Sequence, residues 1–190
     1  MKTNLKFLAL FLSSTLALTS CSNDDSAVNE EEVITTVRVT LEDASGNTIV
    51  LQSQDLDGDG PNAPILTPIG GGILSANTTY TGNIEFLNEL ESPAEDITIE
   101  VEEEGDEHQV FYQLTSTLGT VTYTDTDVNG RPIGITFTLT TGSASGTGNL
   151  TVTLRHEPNK TASGVASGDI TNAGGSTDAQ VTFPLQVNVN

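Results

Sequence analysis

The chain has 190 residues, with 26 acidic and six basic side chains and a formal net charge of −20. This charge excludes nucleic acid and anionic headgroups as favourable partners, because like charges repel at the surface. A single cysteine excludes an intramolecular disulfide, so packing alone must hold the fold together. The residues after position 32 are enough for one domain with a sizeable core.

Residues 1–20 have the layout of a secretory signal peptide. Lys2 and Lys6 precede an apolar stretch that is too short to span a bilayer as a stable helix. The segment Leu18-Thr19-Ser20-Cys21 resembles the lipobox of bacterial lipoproteins. That resemblance implies removal of residues 1–20 and acylation of Cys21, for example with palmitate. The alternative is a free thiol behind an ordinary signal peptide.

Residues 21–32 are acidic and nearly free of apolar groups, which predicts a flexible tether. The sequence Ser22-Asn23-Asp24-Asp25 resembles the export signal that carries Bacteroidota lipoproteins to the outer face of the outer membrane. We therefore expect a lipid-anchored outer-membrane protein that is exposed at the cell surface. Its folded domain should comprise residues 33–190.

Apolar side chains recur at alternate positions through residues 33–190, which predicts half-buried strands. Turn-forming Gly, Asn and Asp residues separate these runs, and no amphipathic helix is evident. The pattern predicts an all-β fold, a single antiparallel β-sandwich of immunoglobulin-like layout with about seven to nine strands. A closed barrel is the alternative. The runs cover residues 33–41, 80–86, 97–101, 110–114, 133–139, 150–154 and 179–189, with a long loop at 161–177.

Two segments resemble calcium loops. In the first, Asp55, Asp57 and Asp59 alternate before Gly60, as do the oxygen ligands that open an EF-hand. An EF-hand requires a Glu at the twelfth position of its loop, but this segment has Leu66 there, which excludes a complete EF-hand. A looser calcium loop and an ordinary turn both fit the segment. In the second, residues 125–130, the Asn-Gly pair favours a type I′ hairpin turn over a metal site.

The two histidines form a second candidate metal site. His108 begins one predicted strand and His156 ends another, each in phase with the inward-facing positions. If those strands are antiparallel, both imidazoles lie at the same rim of the sandwich, beside Glu107 and Glu157. Two imidazoles with carboxylates bind zinc, copper or iron. The alternative is two separate histidines that are hydrogen-bonded to the backbone.

Motifs for catalysis are lacking in the sequence. There is no Gly-x-Ser-x-Gly elbow and no Gly-rich loop followed by Lys and Ser or Thr. An aromatic content of 5% without tryptophan argues against a sugar-binding cleft. We therefore expect a protein that is not an enzyme and has no catalytic residues.

Three stretches, DLDGDGPNAP at 55–64, the acidic run ending DEHQVFY at 92–112 and LRHEPNK at 154–160, carry a family resemblance. With the lipobox they resemble small acidic Bacteroidota outer-membrane lipoproteins. Some of these are labelled type 1 periplasmic binding fold, a two-lobed α/β fold that disagrees with this all-strand pattern. An association of the group with TonB-dependent receptors implies capture of a nutrient.

Two functional hypotheses follow. In the first, a lipid-anchored envelope protein captures a divalent cation, calcium or a transition metal, or a metal-bearing ligand for an outer-membrane receptor. In the second, the domain is a structural or adhesion module of the cell surface without a small-molecule ligand.

Overall fold

The computed structural model describes residues 32–58, 60–69 and 72–189, which belong to one compact unit. The predicted signal peptide, Cys21, most of the tether and Asp59 lie outside the described residues. The strands are β1 (Thr36–Asp43), β2 (Thr48–Gln54), β3 (Ile65–Ile69), β4 (Ile73–Ser75), β5 (Thr79–Asn88), β6 (Glu95–Asp96), β7 (His108–Leu114), β8 (Gly119–Tyr123), β9 (Thr136–Thr141), β10 (Gly146–His156) and β11 (Ser176–Asn188). One helix, α1 (Ile97–Glu103), lies between β6 and β7.

The strands form two sheets that pack face to face. The larger has the order β3-β2-β1-β5-β9-β8, with β6 paired to β5, and the smaller has the order β4-β11-β10-β7. Every pairing is antiparallel except that of β4 with β11. The predicted all-β sandwich is confirmed. The described part of the chain has more strands than the predicted seven to nine, because strands of two or three residues, such as β6 and β4, are too short to show a periodicity.

The main core lies between the two sheets and is built from the alternating apolar positions of both. One contact requires a glycine: a Cβ atom at Gly82 in β5 would lie 2.4 Å from the ring of Phe137, its cross-strand neighbour in β9. The missing side chain leaves room for the aromatic ring to cross the strand. Fully buried side chains of this core include Val39, Leu41 and Phe86 from the larger sheet, and Val110, Leu150 and Leu154 from the smaller one.

The prediction of a strand over residues 97–101 is wrong, since this segment is helix α1. The Asp96 side chain caps the helix by accepting a hydrogen bond from the backbone N–H of Thr98 at 3.1 Å. Ile97 and Val101, four residues apart, face the core, whereas Ile99 is 56% exposed. Positions 97 and 101 share a face in a strand and in a helix alike, so their spacing does not distinguish the two.

The predicted loop at 161–177 folds over the outer face of the smaller sheet as far as the start of β11. It contains two 3₁₀ turns, Val165–Ser167 and Ile170–Asn172. Val165 and Ala173 pack against Phe111, and all three side chains are fully buried in a small second core. Strand β7 is therefore covered on both faces, which places its first residue, His108, in a buried environment.

The second Asp-rich segment forms the connection between β8 and β9. Asp127 accepts hydrogen bonds from the backbone N–H groups of Asn129 (2.8 Å) and Arg131 (2.9 Å). Gly130 has a left-handed φ of 75°, but Asn129 does not, so the predicted type I′ turn is wrong although the hairpin itself is present. The carboxylate of Asp127 shapes the turn in place of a metal ion.

Lys160 fastens this connection to its neighbours through a buried ammonium group. Its Nζ donates to Oδ2 of Asp127 at 3.0 Å, to the carbonyl oxygen of Pro132 at 2.9 Å and to that of Gly105. The Lys160 and Asp127 side chains are only 4% and 1% exposed. A buried charge of this kind needs its partner, because removal of one member leaves the other unpaired in a medium of low dielectric.

We expect Lys160→Met to lower the free energy of unfolding by about 3–5 kcal/mol, since it leaves the Asp127 carboxylate buried and uncompensated. Equilibrium unfolding in urea measures this loss. Arg38→Met is the matched control, because the Arg38–Glu85 pair is 31% and 38% exposed and should contribute about 1 kcal/mol or less. Equal losses in the two variants would contradict the assignment of Lys160 as a buried clamp.

Candidate metal centre

His108 and His156 are directly opposite each other in neighbouring strands. His108 is the first residue of β7 and His156 the last of β10, and the antiparallel register pairs the two. Their rings stack with centroids 4.7 Å apart and planes inclined by 25°. The predicted placement of both imidazoles at one rim of the sandwich is confirmed.

A third donor comes from a β-bulge in β11. Leu154 pairs with Ala179 and Arg155 with Thr177, which leaves Asp178 without a partner in the register. Such a bulge re-aims the side chain of the extra residue. Three residues, His108, His156 and Asp178, each offer one donor atom, and these three atoms lie within 4.8 Å of one another. We name these three residues the inner group.

Asp178 is absent from the sequence-based predictions for a physical reason. Strict alternation along β11 places it on the face opposite Ala179 and the buried Phe183, away from the histidines. The bulge breaks that alternation at this residue. No feature of the local sequence marks it, so the register of the two strands is needed to find this candidate ligand.

A further carboxylate comes from Glu32. We assigned this residue to the tether, but its side chain is only 8% exposed, and its Oε1 lies 3.0 Å from Nε2 of His108. Glu32, Glu104 and His108 form another group of donors within 4.8 Å of one another. The domain boundary predicted at residue 33 is therefore corrected, because Glu32 belongs with the folded domain.

The contacts of His108 define its protonation. Its Nδ1 lies 3.2 Å from the main-chain carbonyl oxygen of Glu104, which can only accept a hydrogen bond, so Nδ1 carries a proton. The opposite nitrogen then faces the carboxylate of Glu32, another acceptor. Only a cation, either a proton or a metal ion, makes that contact favourable. A histidine that donates from one nitrogen to a carbonyl and binds with the other is typical of metal ligands.

The charges around the inner group shift the pKa values of its members. Burial lowers the pKa of His108, but the Glu32 carboxylate, together with the Glu104 carbonyl and the charge of Asp178, outweighs this effect, and the pKa lies above its ordinary value. Burial raises the pKa of the Asp178 carboxyl, and the charge of Glu32 adds to that rise. Among the described residues, Oε2 of Glu32 and Oδ2 of Asp178 are buried without a hydrogen-bond partner. These oxygens remain free to accept a cation.

The two predicted carboxylates lie on the solvent side of His156. Oε2 of Glu107 is 3.9 Å from Nε2 of His156, and the Glu107 side chain is 57% exposed. Glu107, His156 and Glu157 form a set of donors within 4.8 Å, which we name the outer group. The four ligands predicted from the sequence thus fall into two adjacent groups that share His156.

Gly175 allows the chain to close around His156. It precedes β11 and has a left-handed φ of 70°. A Cβ atom at this position would lie 2.1 Å from the main-chain oxygen of His156. Any other residue at position 175 would push the start of β11, and with it the bulge at Asp178, away from β10.

The Asp55 loop is organised as a turn. Asp57 accepts hydrogen bonds from the backbone N–H (3.2 Å) and the side-chain amide (2.6 Å) of Asn62, and these bonds lower the pKa of Asp57. The backbone N–H of Asp57 donates to Oδ1 of Asp55 at 3.3 Å. Within the described residues, no cluster of three metal-ligating side chains includes Asp55 or Asp57. Calcium binding by this loop, including Asp59, stays a prediction.

No protein-family model, curated protein or solved structure matches this chain. Among the described residues, no helix is long and apolar enough to cross a membrane. The assignment of a site therefore depends on the geometry of the rim and on the chemistry of its donors.

We expect the stability of chelator-treated protein to fall as the pH rises above 6.5, the ordinary pKa of histidine. Because the folded-state pKa of His108 is raised, its stabilising protonation is complete below the unfolded pKa and is lost as the pH passes through the folded value. The raised pKa of Asp178 also lowers stability as the pH rises, but its loss begins at the lower pH of 3.8, the ordinary pKa of that carboxyl. Thermal melts from about pH 5 to about pH 9 measure the effect.

Glu32→Gln removes the charge that raises the pKa of His108, which brings the folded-state pKa closer to or below the unfolded one, so the loss of stability above pH 6.5 should be smaller in this variant. Glu91→Gln is the matched control, because Glu91 is exposed. A pH profile that Glu32→Gln leaves unchanged would show that Glu32 does not control the protonation of His108.

Proposed function

We propose that this chain is a non-enzymatic binding protein of the cell envelope that holds one divalent transition-metal ion at the inner group. The observation that supports the proposal is the convergence of His108, His156 and Asp178. They come from three neighbouring strands, and their donor atoms lie within 4.8 Å of one another. A fourth ligand would come from Glu32, whose Oε2 is buried without a hydrogen-bond partner and which belongs with His108 to the neighbouring donor group that also contains Glu104.

The donor types favour a transition metal over calcium or magnesium. Imidazole nitrogen binds zinc, copper, iron and nickel, whereas calcium and magnesium prefer oxygen ligands alone. A tetrahedral zinc ion has ligands at about 2.0–2.2 Å, so neighbouring donor atoms lie about 3.3 Å apart around it. The donor atoms of the inner group lie within 4.8 Å of one another, so they would have to approach more closely to bind such an ion. Two imidazoles and two carboxylates would fill the four positions.

A filled coordination sphere favours storage or transfer of the ion over catalysis. Catalytic zinc sites keep one position open for water or substrate, whereas closed sites hold the ion with four protein ligands. His108 is fully buried and Glu32 is 8% exposed, so this side of the site has little room for a substrate. This enclosure supports a binding protein.

The location and partner extend the proposal to the whole chain. The lipobox resemblance supports an anchor at Cys21 in the outer membrane, with the domain at the cell surface. The net charge of −20 raises the local concentration of cations. In this role the protein would deliver a metal ion or a metal-bearing ligand to an outer-membrane receptor of the TonB-dependent class.

The alternative is a structural or adhesion module, and one observation favours it. If its imidazole is protonated, His108 donates from Nδ1 to the Glu104 carbonyl, and its Nε2 forms an ion pair with the Glu32 carboxylate at 3.0 Å. A protonated His108 would then act as a buried ion pair that joins the N-terminal segment to the sandwich. In that case added metal would leave the stability of the domain unchanged.

We expect purified full-length protein to bind one equivalent of zinc or copper(II), measured by elemental analysis and titration. Binding to the folded state alone raises the free energy of unfolding by about 2.7 kcal/mol when free metal is 100 times the Kd. Asp178→Asn and His156→Gln each remove a ligand, so both variants should lose most of this stabilisation in melting curves.

Asp169→Asn is the matched control for Asp178→Asn. Asp169 is exposed and accepts a hydrogen bond from the backbone N–H of Thr171, a role that Asn can also fill. Calcium serves as the control ion, since the inner group should not bind it in preference to a transition metal. The proposal is wrong if no transition metal binds stoichiometrically, or if Asp178→Asn and His156→Gln bind it as wild type does.

A further inference from the structure

The outer group lies between solvent and the inner group. Side-chain exposure falls from 57% at Glu107 to 11% at His156, and to 0% at His108. His156 is a member of both groups. We propose that the outer group is a capture site, which takes the hydrated metal ion from solvent and passes it through His156 to the inner group. This inference rests on the function proposed above.

The backbone holds the two outer carboxylates together. The backbone N–H of Glu157 donates to the main-chain carbonyl of Glu107 at 2.6 Å, although the two residues are far apart in the chain. Glu157 has a left-handed φ of 50°, which costs a residue other than glycine on the order of 1–3 kcal/mol. The pairing of β7 with β10 fixes this conformation, and Glu157 stays at the rim beside Glu107.

The ligand types of the two groups give the transfer a direction. The outer group offers two carboxylates and one imidazole, and the inner group two imidazoles and one carboxylate. Imidazole suits zinc and copper better than carboxylate does, so an ion gains affinity as it moves inward. The stacked rings, 4.7 Å apart, keep the step short.

The ligand exchange balances without any redox or covalent change in the protein. The ion exchanges water and the carboxylates of Glu107 and Glu157 for His108 and Asp178, while His156 stays bound. The proton on Nε2 of His108 leaves to solvent when the metal replaces it, as metal binding to histidine requires. The two outer carboxylates are then free for the next cation.

Burial makes a capture site necessary for fast loading. His108 and Glu32 are enclosed, so a hydrated ion reaches them past a more accessible donor: His156 with the outer group, Asp178, or the exposed Glu104, whose carboxylate lies within 4.8 Å of their donor atoms. Fixed carboxylates at such an opening concentrate cations locally and raise association rates. The carboxylates of Glu107 and Glu157 lie beside His156, which makes the route past His156 the favoured one.

The test compares zinc loading rates in stopped-flow mixing, with a chelating dye that reports free Zn²⁺. In full-length Glu107→Gln/Glu157→Gln, association should slow on the order of tenfold relative to wild type. Dissociation should slow by the same factor, because the capture site lies on both paths. The Kd should therefore change little. The matched control is Glu102→Gln/Glu103→Gln, which removes two exposed charges from α1.

Each outcome has a distinct meaning. If the outer-group variant loads zinc as fast as the control and still binds one equivalent, the capture site is wrong and the proposed function stands. If that variant loses equilibrium binding, Glu107 and Glu157 are ligands of the resident ion and the capture site is again wrong. If wild-type protein binds no zinc, the proposed function fails and the capture site with it.

Discussion

The pairing of β7 with β10 is the constraint on which the rest of the site depends. Its antiparallel register places His108 opposite His156, and the same pairing brings Glu107 next to Glu157. A shift of one residue would turn every side chain of β7 to the other face and separate the two imidazoles. The hydrophobic alternation that fixes this register for the core therefore also fixes the candidate metal ligands at the rim.

The rim is enclosed by segments of the chain that contain little regular secondary structure. The loop after β10 covers the outer face of β7, helix α1 lies before it, and the N-terminal segment brings the carboxylate of Glu32 to Nε2 of His108. Burial of these charges is costly unless each finds a partner. The same enclosure raises the pKa of Asp178, and it brings the Glu32 carboxylate against His108, whose pKa this contact raises although burial itself lowers it. A metal ion would neutralise this cluster in place of protons.

Alternation along the chain is sufficient to predict the sandwich and the proximity of the two histidines, because both depend on the period of two in long strands. It fails where local geometry departs from that period. The spacing of Ile97 and Val101 fits a helix as well as a strand. The Asp96 cap favours the helix, and a search for alternating apolar residues does not detect such a cap. Asp178 reaches the site only through a bulge. Glu32 lies in an acidic stretch whose composition is typical of disorder, and only its contact with His108 shows that it belongs to the domain.

The distribution of charge connects the site to the surface of the protein. The chain has 26 acidic residues and only six basic ones, so most of the carboxylates cannot each have a basic partner of their own. Such a surface attracts cations of every kind through charge alone. It cannot select among them, because these attractions do not differ in kind and screening by salt weakens all of them alike. Selection requires nitrogen ligands at fixed positions, and both histidines of the chain lie together at this rim. In the proposed function, attraction by many exposed acids and selection by two buried imidazoles are therefore complementary steps. His156 would connect them, because it belongs both to the outer group with its exposed carboxylates and to the inner group with His108.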